Sequence, residues 1–282
     1  MPNEPITIYQ PDNTLRNGYF QTFREIYQEL VENRWLIYQL FKRDFSSMYK
    51  QSFIGLLWIF IIPIINVGIF AMLGHSGIFN FGNISAPYPI FAILGISMWQ
   101  LFSSGLIACG NSLASAGDML IRIKFSRKSL VLASVGRSVV AFLVQTLLIA
   151  LLLVVYKFAP AKTIILFPLM ILPILLFTLG LGLIISILNS IVRDTGNLLS
   201  VIMMLGMYAT PVLYAKPRTG LLVHISNYNP MYYFISAGRD LALTGNLSEP
   251  KGFIISCILA VFIFLTGLVI FHLTETRITE RI

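Results

Sequence analysis

Long, uninterrupted apolar stretches dominate the sequence and alternate with short polar segments. Six of them are close to or above the roughly 20 residues that a helix needs to cross a bilayer. Their apolar residues run continuously, without the alternation of a barrel strand, so the pattern predicts helices. The sequence therefore predicts an all-α polytopic membrane protein with six transmembrane helices. The stretches are Ile54–Leu73, Tyr88–Cys109, Leu130–Tyr156, Ile164–Leu188, Leu198–Tyr214 and Phe253–Leu273, the fifth being the shortest.

A different pattern precedes the first stretch. Phe20, Phe23, Tyr27, Leu30 and Val31 recur at helical spacing, and polar residues occupy the opposite side. This spacing predicts an N-terminal amphipathic interface helix. Such a helix either lies along the inner membrane surface or docks on a cytoplasmic partner, and the pattern leaves both open.

The segment 216–251, between stretches five and six, is too long for a turn. It holds two apolar pieces, Leu221–Ile225 and Met231–Leu243, each too short to cross the membrane. Asn229-Pro230 separates them, because proline interrupts a helix and restricts the residue before it. We expect two short re-entrant helices that form an outer gate, with Asn229, Pro230 and Arg239 as its residues. A helical cap packed on the outer surface is the alternative.

These patterns divide the chain into three parts. Residues 1–53 are expected to form a cytoplasmic tail with the amphipathic helix, 54–273 the six-helix membrane domain, and 274–282 a cytoplasmic C-terminal tail. Between the second and third stretches, residues 111–129 either hold a short helix projecting into the cytoplasm or form a basic loop. Asp118, Arg122 and Lys124 lie there.

Composition supports the membrane class and sets an orientation. The 282 residues are 56% hydrophobic and 11% charged, with a formal net charge of +8. With both termini in the cytoplasm, 14 of the 20 basic residues fall on the inner side, as the positive-inside rule favours. We therefore expect a multi-pass protein of the cytoplasmic (inner) membrane with both termini inside. This asymmetry accounts for the positive charge without a nucleic-acid partner, since basic segments lie beside anionic lipids.

The chemistry missing from the sequence narrows the function. None of the 12 acidic residues lies inside an apolar stretch, whereas ion-coupled carriers usually bury such charges. No G-x-x-x-x-G-K-[ST] phosphate loop is present, so energy for any transport should enter from a partner. The histidines and cysteines, which are His75, His224, His272, Cys109 and Cys257, have no metal or disulfide spacing. No catalytic residue is predicted.

Aromatic residues are frequent in the predicted spans and the outer pair. A ring stacks on the apolar face of a sugar without needing charge, which suits a polymer that slides. We expect these rings to line a substrate path, with interfacial anchoring or packing as the alternative for each of them. The candidates are Trp58, Phe60, Trp99, Phe102, Tyr208, Tyr214, Tyr232 and Tyr233.

An ordered set of short motifs resembles the membrane subunits of type-2 ABC exporters for polysaccharides, the permeases for O-antigen, capsule and teichoic acid. The likeness covers nearly the whole chain. The sequence departs from that pattern at Ser126, where many relatives have proline, and has a longer N-terminal tail. The motifs are Arg43-Asp44 with Tyr49, Ser52, Gly55, Trp58 and Pro63; Pro87-Tyr88 with Gly95, Trp99 and Phe102; Asn111 through Lys124-Phe125; Val192-Arg193-Asp194; and Asn229-Pro230 with Arg239.

The resemblance implies a homodimer that works with two separate ATPase subunits, which would bind ATP and magnesium, so this chain needs no cofactor. The substrate would be a polyprenyl-diphosphate-linked glycan, and O-antigen is the leading candidate. Teichoic acid, capsule, or a small lipid or drug are the alternatives. A carrier outside the ABC class or a scaffold is more remote. The resemblance also implies that Phe23, Tyr27, Asp118, Arg122 and Lys124 dock the ATPase.

Overall fold

The computed structural model describes residues 19–49, 57–75, 84, 86–116, 126–217 and 219–278. Within these ranges the regular structure is helical and no strand occurs, which confirms the all-α prediction. A 3-10 segment, Lys162–Met170, leads directly into α7. The α-helices are α1 (Tyr19–Glu32), α2 (Arg34–Tyr49), α3 (Trp58–His75), α4 (Tyr88–Ala116), α5 (Arg127–Ser134), α6 (Gly136–Val155), α7 (Ile171–Ile191), α8 (Asp194–Ala209), α9 (Leu221–Tyr228), α10 (Pro230–Leu243) and α11 (Pro250–Ile278).

Helix α4 is the centre of the bundle. Every residue from Ile90 to Trp99 is buried, because α6, α7, α10 and α3 surround it. On the far side of α7 lies α11, and small residues bring the two backbones together. A Cβ on Gly180 would lie only 2.6 Å from the backbone nitrogen of Phe264. Close approach at small residues is the usual way in which membrane helices gain packing contacts.

The described part of the chain contains four helical segments long and apolar enough to cross a membrane: 88–116, 127–155, 162–191 and 250–274. They correspond to predicted spans two, three, four and six. Helix α3 has a shorter apolar part, Trp58–Ile69. Helix α8 has 16 residues and ends at Ala209, before the predicted end of span five at Tyr214. A count of six spans stays a prediction.

The inner segment 111–129 is shorter than the sequence indicates. Helix α4 extends to Ala116, and α5 already begins at Arg127. Helices α5 and α6 form one continuous segment with a break at Val135, whose amide hydrogen-bonds to Ala133. Arg127 and Lys128, for which the sequence left a short helix and a basic loop open, belong to the first turn of a helix and are buried.

The N-terminal amphipathic region consists of two helices, α1 and α2, rather than one. They pack on the end of the bundle where α5 begins, through Ile26 and Leu40. Tyr27 and Val31, expected on the apolar side of α1, are exposed, whereas Leu30 packs against this core. The sequence pattern thus predicted the helix correctly but misplaced its buried side by one position. The residue that packs into the core is Ile26, not Tyr27.

The segment between α8 and α11 forms two short helices, α9 and α10, which meet at Asn229. This confirms the break predicted at Asn229-Pro230. Their re-entrant position in the membrane stays a prediction.

Candidate functional site

Arg239 joins the two short helices to the rest of the bundle. Its side chain is only 7% exposed. Its guanidinium donates to three backbone carbonyls: Nε to Phe91 O at 3.2 Å, Nη1 to Pro211 O at 2.8 Å, and Nη2 to Val212 O. The Phe91 ring lies 3.6 Å from the guanidinium carbon, a cation–π contact. Arg239 therefore connects α10 to α4 and to the turn after α8; we call these contacts the Arg239 clasp.

The clasp depends on the absence of a side chain at Gly95. A Cβ there would overlap the Arg239 guanidinium and the Val212 carbonyl. From the sequence alone, a backbone carbonyl, a headgroup or a substrate phosphate could equally partner Arg239. The structure shows carbonyls that follow the end of α8, where the chain has left the helix and its polar groups need other donors.

Asn229 provides a second connection at the end of α8. Its Oδ1 accepts a hydrogen bond from Met231 N at 3.0 Å, which caps α10, and Pro230 occupies the first helical position. Its Nδ2 donates to Thr210 Oγ1 at 2.8 Å, and Thr210 is the residue that follows α8. One side chain thus fixes the start of α10 relative to the end of α8.

A polar cluster surrounds Tyr232, near the start of α10. Glu249 Oε1 accepts from Tyr232 Oη at 2.7 Å and from Lys216 Nζ at 3.0 Å. The same Lys216 nitrogen lies 4.5 Å from the centre of the Tyr232 ring. Tyr233 donates to Asn227 O at 2.9 Å. Both tyrosines are therefore engaged within the protein, and the cluster joins α10 to the segments before and after the pair.

The structure divides the other candidate aromatics into three groups by exposure. Trp99 is 4% exposed and packs edge-on against Phe102, which stacks on Phe177 at 5.5 Å. These rings lie in the core of one chain, where they contact protein rather than a channel. Trp58 on α3 is 46% exposed and Tyr208 on α8 is 50% exposed. The remaining two are half-buried: Phe60, and Tyr214, which donates to Tyr208 O at 2.7 Å.

A buried ion pair lies at the opposite end of the bundle. Lys128 Nζ is 2.6 Å from Glu29 Oε2, and the lysine side chain is 1% exposed. Burial raises the pKa of Glu29, but the hydrogen bond from Lys128, the nearby Ser126 hydroxyl, and electrostatic attraction by Lys128 and His272 outweigh burial. The pKa therefore lies below the ordinary 4.5, and Glu29 is ionised at neutral pH. This pair attaches α1 to the first turn of α5.

The residues expected to dock an ATPase are only partly placed. Phe23 lies within α1, and Tyr27 is exposed on it. Asp118, Arg122 and Lys124 fall outside the described residues, as do Ser52, Gly55 and Phe125 of the resemblance. Four exposed apolar side chains follow one another along α1 and α2 at spacings of four, four and three residues. They are Tyr27, Val31, Trp35 and Tyr38, which we call the N-terminal stripe.

Sequence reasoning missed two buried polar connections. Asn189 donates to Gly110 O and to Asn111 Oδ1, both at 3.0 Å, and accepts from Gly196 N at 2.9 Å, which joins α4, α7 and α8. Gln145 donates to Gln100 across α4 and α6. For the glutamine pair the available signal was a lone polar residue inside an apolar stretch, since such groups need a partner in lipid, whereas Asn189 follows the end of its stretch.

Comparison with known proteins finds relatives that cover most of the chain. The family described as ABC-2 type transporter matches residues 36–243. An O-antigen export system permease protein RfbA from Klebsiella pneumoniae is 30% identical over 250 residues, which cover 87% of this chain and 94% of that protein. A second RfbA from Klebsiella pneumoniae is 28% identical over 248 residues, with the same coverage. RfbA from Myxococcus xanthus is 29% identical over 191 residues, 66% of this chain and 71% of that protein.

Proposed function

Because the chain belongs to the ABC-2 type transporter family, whose members are membrane transport subunits, we propose that it is the permease of an ATP-driven exporter of a lipid-linked polysaccharide. O-antigen is the leading substrate. One observation carries this choice: the 30% identity to an O-antigen export permease extends over 87% of the chain. Family membership removes a carrier outside the ABC class and a scaffold from consideration. Teichoic acid, capsule, and a small lipid or drug are the other substrates that this family would allow.

Energy would come from two ATP-binding cassette subunits, which bind ATP with magnesium. The N-terminal stripe is the proposed docking surface, because exposed aromatic side chains at helical spacing suit a groove on a partner. Helix α1 can transmit force, since the Glu29–Lys128 pair and Ile26 attach it to α5 and the core. Movement of the docked ATPase would reach the membrane helices along this route.

A second copy of the chain would complete the pathway. Helix α8 buries only Gly196 and Leu199 in its own chain, and α3 exposes apolar side chains on most of its surface. Two copies that meet near α3 and α8 would bring Trp58 and Tyr208 to the lumen, where their rings can stack on sugars. Trp99 and Phe102 would support this wall from behind, because Trp99 contacts α8 at Gly206.

Helices α9 and α10 would act as the outer gate of this path. The Arg239 clasp and Asn229 attach α10 to the end of α8, so a shift of α8 would move the pair with it. In this proposal Arg239 holds the gate and does not bind the substrate diphosphate, since its donors already meet three carbonyls.

Complementation tests this function. A Klebsiella pneumoniae strain that lacks its own O-antigen permease would express this chain together with its cognate ATPase subunit. We expect O-antigen at the cell surface, measured by immunoblot of intact cells, and none when the ATPase is disabled in hydrolysis. Intracellular accumulation of the lipid-linked glycan, although both subunits are folded and co-purify, would contradict O-antigen as the substrate.

A further inference from the structure

An apolar cavity of about 580 Å³ lies between α6 and the 3-10 segment, at the end of the bundle opposite α5. Its size falls within the roughly 300–1,000 Å³ of small-molecule sites. Ile149, Leu153, Phe158, Ile165 and Pro168 are among its lining residues. Lys157 also lines the cavity and is the charged residue in its lining. None of the residues assigned to docking, path or gate takes part in it.

The 3-10 segment explains why space remains beside α6. A 3-10 helix is narrower than an α-helix and places side chains three residues apart above one another. Ile164, Phe167 and Met170 follow this spacing and pack into the core. Ile165 and Pro168, also three apart, line the cavity, and Ile165 is 81% exposed. The groove therefore opens towards the surroundings of the bundle, which at this level are lipid.

The cation in the groove lies at an unusual backbone position. Helix α6 ends in a Schellman motif, in which Phe158 N donates to Leu153 O at 3.0 Å and Lys157 N to Val154 O at 3.1 Å. Lys157 occupies the left-handed position of this motif, with φ of 49°. Glycine is the usual residue there, because a side chain is strained at positive φ. The chain thus carries a lysine where local stability favours glycine.

We propose that this groove binds an anionic phospholipid of the surrounding membrane. The acyl chain occupies the apolar part between α6 and the 3-10 segment, and the phosphate pairs with Lys157. Charge complementarity carries this choice, since an amine at the end of an apolar groove matches a phosphate at the end of an acyl chain. Lys162, exposed at the start of the 3-10 segment, adds to the positive potential of the same turn.

Photolabelling of the purified full-length chain in nanodiscs tests the proposal. The probes are phosphatidylglycerol and phosphatidylcholine that carry the same diazirine-labelled acyl chain. We expect phosphatidylglycerol to label peptides covering 146–168 at least three-fold more than phosphatidylcholine. The exposed face of α11 around Ile258 provides the reference, where the two lipids should label equally.

Two variants separate the site from general lipid contact. Lys157→Gly removes the cation and also the backbone strain, so the protein should melt at an unchanged or higher temperature while the labelling ratio falls to about one. Lys251→Ala, an equivalent charge loss on α11, should leave the ratio unchanged. Ala150→Trp fills the groove and should abolish labelling there by both lipids.

Three results would overturn the proposal. Equal labelling by the two lipids, or a preference that survives Lys157→Gly, would indicate ordinary annular lipid. Displacement of the phosphatidylglycerol probe by an equal amount of polyprenyl phosphate would assign the groove to the carrier lipid of the substrate. A groove labelled by neither lipid would indicate that protein covers it.

Discussion

Two buried cations show how a charged side chain is stabilised inside this bundle. Lys128 is paired with a carboxylate, Glu29, whereas Arg239 donates to three carbonyls and contacts the Phe91 ring. The difference follows from shape, because the planar guanidinium serves several acceptors at once and an ammonium acts as a point charge. Single substitutions at these positions should therefore have large and distinguishable effects.

Arg239→Ala should leave three buried carbonyls without their donor, at about 1–3 kcal/mol for each group. Arg239→Lys keeps the charge but cannot reach all three, so it should rescue only part of the loss. We expect both variants to unfold at lower temperature and to export less glycan, with Ala the more severe. Gly95→Ala, which displaces the clasp without removing the charge, should resemble Arg239→Lys. Export at the wild-type level in Arg239→Ala would contradict a gating role.

The Glu29–Lys128 pair predicts a defined pH dependence. Because the pKa of folded Glu29 is lowered, its stabilising contribution is complete above the unfolded value near 4.5 and is lost as the pH falls through the lower folded value. Glu29→Gln should destabilise the chain at neutral pH by about 1.5–3 kcal/mol, since Lys128 loses a charged acceptor. Thermal unfolding between pH 3 and pH 7 measures this.

The control for that experiment is Glu32→Gln, an exposed carboxyl on the same helix, which should leave the unfolding curve unchanged. A wild-type curve and a Glu29→Gln curve that coincide from pH 7 down to pH 3 would show that the pair contributes nothing to stability.

At the scale of elements, short helices are held by specific side chains rather than by their own length. Helix α9 has eight residues and α10 has 14, and isolated helices of this size are marginal in water. Asn229 caps α10, and Tyr232 and Arg239, which lie two turns apart on the same side of the helix, attach it to different segments. Helix α8, by contrast, buries little of its surface, so its position depends on these connections and on the hydrogen bond from Gly196 to Asn189.

The aromatic residues of α3, α4 and α8 should separate into a packing group and a path group. Trp99→Ala should destabilise the chain by about 3–5 kcal/mol, as is typical for a large buried side chain. Trp58→Ala and Tyr208→Ala should leave unfolding nearly unchanged, but the double variant should slow export, because a sliding polymer contacts several rings. Thermal unfolding and surface glycan, measured on the same samples, distinguish these effects.

Trp99→Phe is the matched control for packing and should recover most of the stability. Normal export in the Trp58→Ala, Tyr208→Ala double variant, at wild-type protein levels, would remove these two rings from the path.

At the scale of the whole molecule, the exposed apolar surfaces exceed what one soluble subunit would show. Part of this surface faces lipid, and part should face the proposed partners: the N-terminal stripe an ATPase, and α3 with α8 a second copy. The two proposed partner surfaces lie on separate elements, so each can be tested without changing the other.

The N-terminal stripe should determine assembly with the ATPase. Trp35→Glu and Tyr38→Glu place a carboxylate on an apolar contact and should reduce co-purification of the cognate ATPase at least ten-fold. Gln39→Glu, an exposed position on the same helix, should not. If all three variants retain the ATPase and still reach the membrane, the stripe lies against lipid instead.

The proposed dimer should be visible by cross-linking in native membranes. In a background with Cys109 and Cys257 replaced by serine, Met204→Cys on α8 should form a disulfide-linked dimer under mild oxidation, because that side chain is exposed on the helix that the proposed second copy would cover. Leu151→Cys, equally exposed on α6, should stay monomeric. Cross-linking at Leu151 but not at Met204 would move the interface to α6.

The sequence by itself determined the class of this protein and much of its helical structure. Apolar stretches indicate helices directly, since a backbone in lipid must satisfy its own hydrogen bonds. The break at Asn229-Pro230 was also readable, because proline acts through local geometry alone. The family resemblance, carried by short motifs spread along the chain, is confirmed by the match over residues 36–243.

Only the tertiary structure decided which residues meet. Glu29 and Lys128 are 99 positions apart, and Arg239 binds carbonyls of residues 91, 211 and 212, which carry no side-chain signal. Trp58 and Trp99 both lie in apolar stretches of the sequence, yet Trp58 is exposed and Trp99 lies in the core. The physical reason is that periodicity within a helix defines its faces, whereas the packing of all the helices together decides which face meets lipid, a partner or protein.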